Sequence, residues 1–204
     1  MAKTPWWLKK IYPSLTWDIP AHDREIYLTF DDGPHETATP FVLNLLKQYN
    51  AKATFFCIGS NVVKNPAIYG DMLLQGHTAG NHTYNHLNGW KTPDKDYIDN
   101  IALAAKPIHS GLFRPPYGRI SRFQAKLLQQ GSHPFKIIMW TVLSGDFDTG
   151  ISPQQCLHNV TKHAKPGSII VFHDSAKAYQ RLAYALPRAL DYFSKEGYIF
   201  KAVT

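Results

Sequence analysis

The chain has 204 residues, of which 44% are apolar and 18% charged, and carries a formal net charge of +7. This balance predicts one globular domain with a sizeable core; it excludes a disordered chain, and no apolar run reaches membrane-spanning length. The positive excess favours acidic partners such as anionic glycan or a lipid surface, but basic residues are scattered apart from Lys9-Lys10, which argues against nucleic acid.

Residues 1–24 place Trp6, Trp7, Tyr12 and Trp17 among prolines without helix or strand periodicity. We expect this aromatic and basic segment to pack across the surface of the following domain, residues 25–204, with contact to a membrane interface as the other reading. Its first ten residues lack the apolar core and small-residue cleavage site of a secretory signal, so the expected location is cytoplasmic by default, with cell-envelope association second.

An alternating run, Ile26, Leu28 and Phe30, predicts a strand that stops at Asp31-Asp32-Gly33-Pro34. Neighbouring residues on an extended backbone point in different directions. One of these acids can therefore hold a metal while the other handles a proton. Thr39-Pro40 then reads as an N-cap with proline at the first helical position, followed by Phe41, Val42, Leu45, Leu46 and Tyr49 at helical spacing.

A second strand is expected over 53–58, a helix over 66–75 ended by Gly76, and a short third strand over 77–80. Cys57 and Cys156 are too few for a disulfide framework, and Cys57 falls inside the second strand, where a buried thiol is the default. His77 is read as structural. Thr92-Pro93 opens another helix, Leu112-Phe113-Arg114 is a strand candidate, and a helix covers 123–130. Lys136 to Val142 reads as one buried strand, Ser152-Pro153 starts a helix, and Ser168 to Phe172 is a further strand. A long helix over 179–196 and a last strand over 198–203 finish the pattern. Strands alternate with helices throughout, which implies a parallel sheet, either doubly wound or closed as a barrel.

Chemistry-bearing residues collect at the predicted strand ends. His82 and His86 stand four apart, a spacing that on one helical turn turns both imidazoles to one ion. An aspartate plus two histidines suits a divalent cation and leaves positions for water and substrate. Arg114 leads into Pro115-Pro116-Tyr117-Gly118, Asp146 follows the 136–142 run, and His173 follows Phe172. Each alone is ordinary loop polarity. Together they lie where the carboxyl ends of parallel strands converge, which is where barrel and open-sheet enzymes keep their sites.

The motifs Thr29-Phe30-Asp31-Asp32-Gly33-Pro34, His82-Thr83-Tyr84-Asn85-His86, Arg114-Pro115-Pro116-Tyr117-Gly118 and the run ending at His173 resemble, in order and spacing, those of the polysaccharide deacetylases. These are the carbohydrate esterase family 4 enzymes with a NodB homology domain, and the resemblance covers residues 25–204. It implies an α/β fold, a deformed and incompletely closed (β/α) barrel of about seven parallel strands. The implied activity is metal-dependent hydrolysis of the N-acetyl group from an N-acetylglucosamine-containing glycan, whether chitooligosaccharide, peptidoglycan or a lipid-linked sugar.

Carried over position by position, the resemblance makes Asp32, His82 and His86 the ligands of a divalent metal, commonly zinc, with cobalt another candidate. Asp31 corresponds to the general base, His173 to the general acid, Arg114 to the partner of the base, and Asp146 to the carboxylate that orients the acid. Tyr117 offers a backbone N–H for the oxyanion, and Pro116, Tyr117 and Phe147 are expected against the sugar. The fourth motif departs from the family's pattern: Leu143 stands where a first acid is usual, and Phe147 where a tryptophan is. Two other readings of the same site are an O-acetyl esterase or non-sugar amide hydrolase, and a catalytically weak glycan-binding module.

Overall fold

The computed structural model describes every residue except Met1, His22 and Ser132, so the first and twenty-second positions of the expected N-terminal segment lie outside the described residues. Its strands are β1 (Glu25–Asp31), β2 (Thr54–Cys57), β3 (Thr78–Asn81), β4 (Leu112–Phe113), β5 (Lys136–Ile137), β6 (Val142–Leu143), β7 (Ile169–His173) and β8 (Ile199–Phe200). Its helices are α1 (Trp6–Ile11), α2 (Ala38–Gln48), α3 (Gly59–Lys64), α4 (Pro66–Leu74), α5 (Asp94–Ala104), α6 (Arg122–Gln130), α7 (Pro153–His163) and α8 (Tyr179–Lys195). A 3-10 turn spans Pro116–Gly118. No described helix is long and apolar enough to cross a membrane.

The strands pair in the order β5-β4-β3-β2-β1-β7-β6, with β8 added beside the start of β1, and every pairing is parallel. The edge strands β5 and β6 are joined by only residues 138–141. Such a link reaches about 18 Å when extended, whereas seven strands laid flat would hold their edges roughly 29 Å apart. The sheet therefore curls into an incompletely closed barrel, as expected.

The single strand expected over 136–142 is a correction that the seam explains. This apolar run has the composition of one buried strand, yet its first residues pair with β4 and its last with β7, on opposite edges of the gap. The N-terminal segment covers that gap. Thr16 N–H donates to Ile137 O at 2.9 Å and Thr16 O accepts from Met139 N–H at 2.7 Å, while Thr4 N–H donates to Thr141 O at 3.0 Å. Within this segment α1 is a helical turn that periodicity did not announce.

The core follows from strand composition. Phe30 of β1 stacks on Phe55 and Phe172 with ring centroids 5.0 and 6.1 Å away, joining three neighbouring strands by buried aromatic area. Each such ring is worth roughly 1.5–3 kcal/mol of burial. α8 covers this layer with Leu182, Leu186 and Leu190, buried at helical spacing. Ser121 caps α6 by a reciprocal box with Gln124, and Ser152 caps α7 by accepting from Gln155 N–H. Thr39 does not cap α2, which already begins at Ala38; its hydroxyl is engaged by a buried acid described below. His77 is buried, accepts from Ala53 N–H and meets the Phe55 ring edge, and burial takes its pKa down to about 4. Both cysteines are buried and free.

Candidate active site

Strand register sets the site. Asp31 is level with His173 across β1 and β7, and Asn81 is level with Phe113 across β3 and β4. The residues just past those positions, His82 and Arg114, therefore emerge at the same carboxyl rim as Asp31 and His173. Asp31, His82 and His173 line a cavity of about 470 Å³ together with Asp32, His86, Tyr117 and Phe147, while Arg114 is buried against Asp31.

Asp32, His82 and His86 come together, with one ligand atom from each lying within 4.8 Å of the others. The expected helical turn is absent. His82 to His86 is irregular chain, and left-handed backbone at Thr83 and His86, φ 64° and 57°, bends both rings inward instead. His82 Nδ1 lies 2.7 Å from Arg114 O, an acceptor only, so Nδ1 carries the proton and Nε2 presents a lone pair towards Asp32, 3.6 Å away. Burial pushes the His82 pKa down to about 4, which keeps the ring neutral. His86 Nδ1 lies 3.0 Å from the Tyr117 hydroxyl and its Nε2 is 3.1 Å from Asp32 Oδ1.

Asp32 Oδ1 is itself buried and has no hydrogen-bond partner. Burial, the largest influence on Asp32, favours its neutral form, yet contact with His86 and the charges of His173, His82 and His86 together hold its pKa below the ordinary carboxylate range. An ionised, orphaned oxygen facing two imidazole nitrogens is the arrangement a divalent cation completes, and the donor set of one carboxylate and two imidazoles fits zinc or cobalt.

Two carboxylate–cation pairs flank that cluster. Arg114 is 0% exposed; its Nη1 donates to Asp31 Oδ1 and to Thr29 Oγ1, both at 2.7 Å. Nε and Nη2 donate to Ile138 O and Met139 O, so the same guanidinium also ties β1 to the link across the seam. Phe56 lies 4.1 Å beneath it. The other pair joins His173 to Asp146. Asp146 Oδ1 is 2.8 Å from His173 Nδ1, and Oδ2 accepts the His173 backbone N–H at 2.7 Å. Burial works against the imidazolium, but Asp146 outweighs it and raises the His173 pKa to about 9. Arg181 Nε donates to Asp146 O at 2.6 Å, fixing the backbone of that loop. Phe147 packs edge-on against His173, with centroids 5.1 Å apart.

Tyr117 sits at the cavity with left-handed backbone, φ 60°. Pro116 is buried beside it and does not line the cavity, whereas Pro115, Trp140 and Leu143 do. Leu143 adds apolar wall to the cavity that Phe147 also lines.

Sequence reading passed over Asp174. Its buried carboxylate accepts Gly33 N–H at 3.1 Å and the Thr39 hydroxyl at 2.5 Å, and burial pushes its pKa up to about 8. A Cβ at Gly33 would overlap that carboxylate, so the turn after Asp32 requires glycine. Asn61 Nδ2 adds a hydrogen bond to Asp32 O at 2.7 Å. An acid directly after His173 was the available signal, but nothing local shows that it reaches Gly33 and α2.

A curled parallel α/β sheet with a carboxylate, two imidazoles and flanking acid–base pairs at its carboxyl rim defines a hydrolase of the half-barrel class. Residues 18–133 match the family model described as polysaccharide deacetylase. The chain is 35% identical over 204 residues to a peptidoglycan-N-acetylglucosamine deacetylase of Bacillus cereus, covering 96% of this chain and 95% of that one. It is 34% identical over 164 residues to a chitooligosaccharide deacetylase of Azorhizobium caulinodans, covering 76% of each. The crystal structure of the Bc1960 peptidoglycan N-acetylglucosamine deacetylase superposes with a TM-score of 0.88 at 32% identity, over 98% of this chain and 95% of that one. The chain belongs to the polysaccharide deacetylase family, with the NodB-type fold of carbohydrate esterase family 4, and is a deacetylase acting on carbon–nitrogen amide bonds.

Proposed function

We propose that this enzyme removes the N-acetyl group from an N-acetylglucosamine-containing glycan, releasing acetate and a free amine. The observation that carries this reading is the placement of the Asp31–Arg114 and His173–Asp146 pairs on one rim with the Asp32, His82 and His86 cluster. The Bacillus cereus and Azorhizobium caulinodans relatives, named for peptidoglycan N-acetylglucosamine and for chitooligosaccharide, support the substrate class.

Asp32, His82 and His86 would hold a divalent cation, zinc or cobalt, which when bound polarises the acetyl carbonyl and acidifies water. Asp31, held by Arg114, accepts the proton of the attacking water. The Tyr117 backbone N–H stabilises the charge that builds on the carbonyl oxygen. His173, cationic at neutral pH, gives its proton to the departing nitrogen, because an amine anion is too poor a leaving group to depart unprotonated. Asp146 keeps that ring charged and aimed. Phe147, Trp140 and Leu143 wall the cavity with apolar surface for a sugar ring.

Acetate release from N-acetylglucosamine oligomers and O-acetylated sugars, by chelator-treated protein before and after adding zinc, tests the reading. Release from the N-acetyl oligomers that returns with zinc is the expected result. Release from O-acetyl sugars alone, or none from any substrate with zinc bound, would overturn it.

A further inference from the structure

The N-terminal arm carries a surface that the catalytic site does not use. α1 buries none of its residues, and Trp6, Trp7 and Ile11 are 69%, 49% and 42% exposed. Leu8 of the same helix packs against the core, so the large apolar side chains on its remaining sides are held in water and call for a partner.

Two clefts meet on this arm. Trp7 and Ile11 line an apolar cleft of about 580 Å³ that also contains Trp90 and is rimmed by Lys3 and Arg119. On the other side of Ile11 and Tyr12 lies a groove lined by Lys10, Arg122 and Lys126. No aspartate or glutamate among the described residues lines either one. The acid nearest in the arm, Asp18, is paired with Lys9. Lys10 lies over Trp6 at 4.8 Å and Arg122 over Tyr12 at 5.7 Å, so cations and aromatic rings interleave on one face. The outer side of α6 extends this face with exposed Phe123 and Leu127 beside Lys126.

We propose that the α1–α6 face docks the enzyme on an anionic phospholipid bilayer. The indoles and Ile11 enter the headgroup boundary, and Lys10, Arg122 and Lys126 meet the anionic headgroups. A soluble polyanion would satisfy the cations but would leave the exposed tryptophans in water; a bilayer surface satisfies both. The apolar cleft shares Tyr117, Arg119, Trp140 and Leu143 with the catalytic cavity, so docking on this face brings the catalytic rim beside the membrane.

Sedimentation of the full chain with vesicles tests this, using phosphatidylglycerol mixed into phosphatidylcholine against phosphatidylcholine alone, with tryptophan emission read in parallel. Binding to the anionic vesicles with a blue shift, weakened by added salt, is expected. Trp6→Ala with Trp7→Ala should remove the blue shift and weaken binding about tenfold or more. Lys10→Glu with Lys126→Glu should weaken it by a similar factor. Both variants should retain their circular dichroism and their rate on a soluble N-acetylglucosamine oligomer. No binding to anionic vesicles would overturn the proposal, as would binding unchanged by the tryptophan substitutions. Association with a soluble polyphosphate that leaves the vesicles unbound would assign the face to a polyanion instead.

Discussion

The two sides of the catalytic rim are built from the same parts in opposite order. On one side the carboxylate, Asp31, reaches the cavity and the cation, Arg114, is wholly buried behind it. On the other the cation, His173, reaches the cavity at 15% side-chain exposure and the carboxylate, Asp146, is wholly buried behind it. In the proposed mechanism the member facing the cavity accepts a proton on one side and donates one on the other. The buried member fixes charge and aim. The supports also differ: Arg114 is held by four acceptors shared between β1 and the seam link, so it is a structural tie as well, whereas the Asp146 carboxylate holds His173 at the end of β7.

This comparison breaks most severely at the working groups. His173→Ala should lower turnover by about 10²–10⁴-fold or more with metal content unchanged, measured by acetate release and metal analysis. On the base side, Arg114→Met should cost about 3–5 kcal/mol of stability, because it strands the buried Asp31 carboxylate and frees Ile138 O and Met139 O, as read by denaturant unfolding. Asp146→Asn should cost less, about tenfold in rate at neutral pH.

That last variant also sharpens the acid side through pH. The wild-type His173 pKa stands near 9 against an ordinary 6.5, so the ring is charged through neutrality and activity should fall as pH rises through about 9. The pair's contribution to folding stability has the same sign: it is full below about 6.5 and lost as pH rises through about 9. Without the Asp146 charge, burial acts with less opposition, and the alkaline limb of kcat/KM should move to lower pH. The smallest effect is expected at Phe147→Ala. Losing the edge-on packing against His173 should change KM by a few-fold, in line with the roughly 0.5–1.5 kcal/mol of an aromatic contact.

Local pattern made some of this legible and left the rest hidden. The alternation of Ile26, Leu28 and Phe30 and the Ser152-Pro153 cap announced their elements because both signals are carried by adjacent residues. Strand ends then placed Asp31, His82, Arg114 and His173 on one rim, since parallel connections return every strand in the same direction. The run 136–142 misled because composition reports burial and not which edge a residue pairs with. His82 and His86 converge as the spacing suggested but through left-handed backbone and not a helical turn, a choice made by the packed loop. Thr39 and Asp174 were missed as a pair because 135 residues separate them and neither carries a sign of the other.

The central claim is that neighbouring carboxylates divide the labour, Asp31 moving a proton and Asp32 holding the cation. Bound zinc and acetate release measured on the same preparations of Asp31→Asn and Asp32→Ala test it most directly. The account predicts that Asp31→Asn keeps its zinc and loses turnover, and that Asp32→Ala loses the zinc itself. Zinc lost from both variants alike, or near-normal turnover in Asp31→Asn, would contradict it.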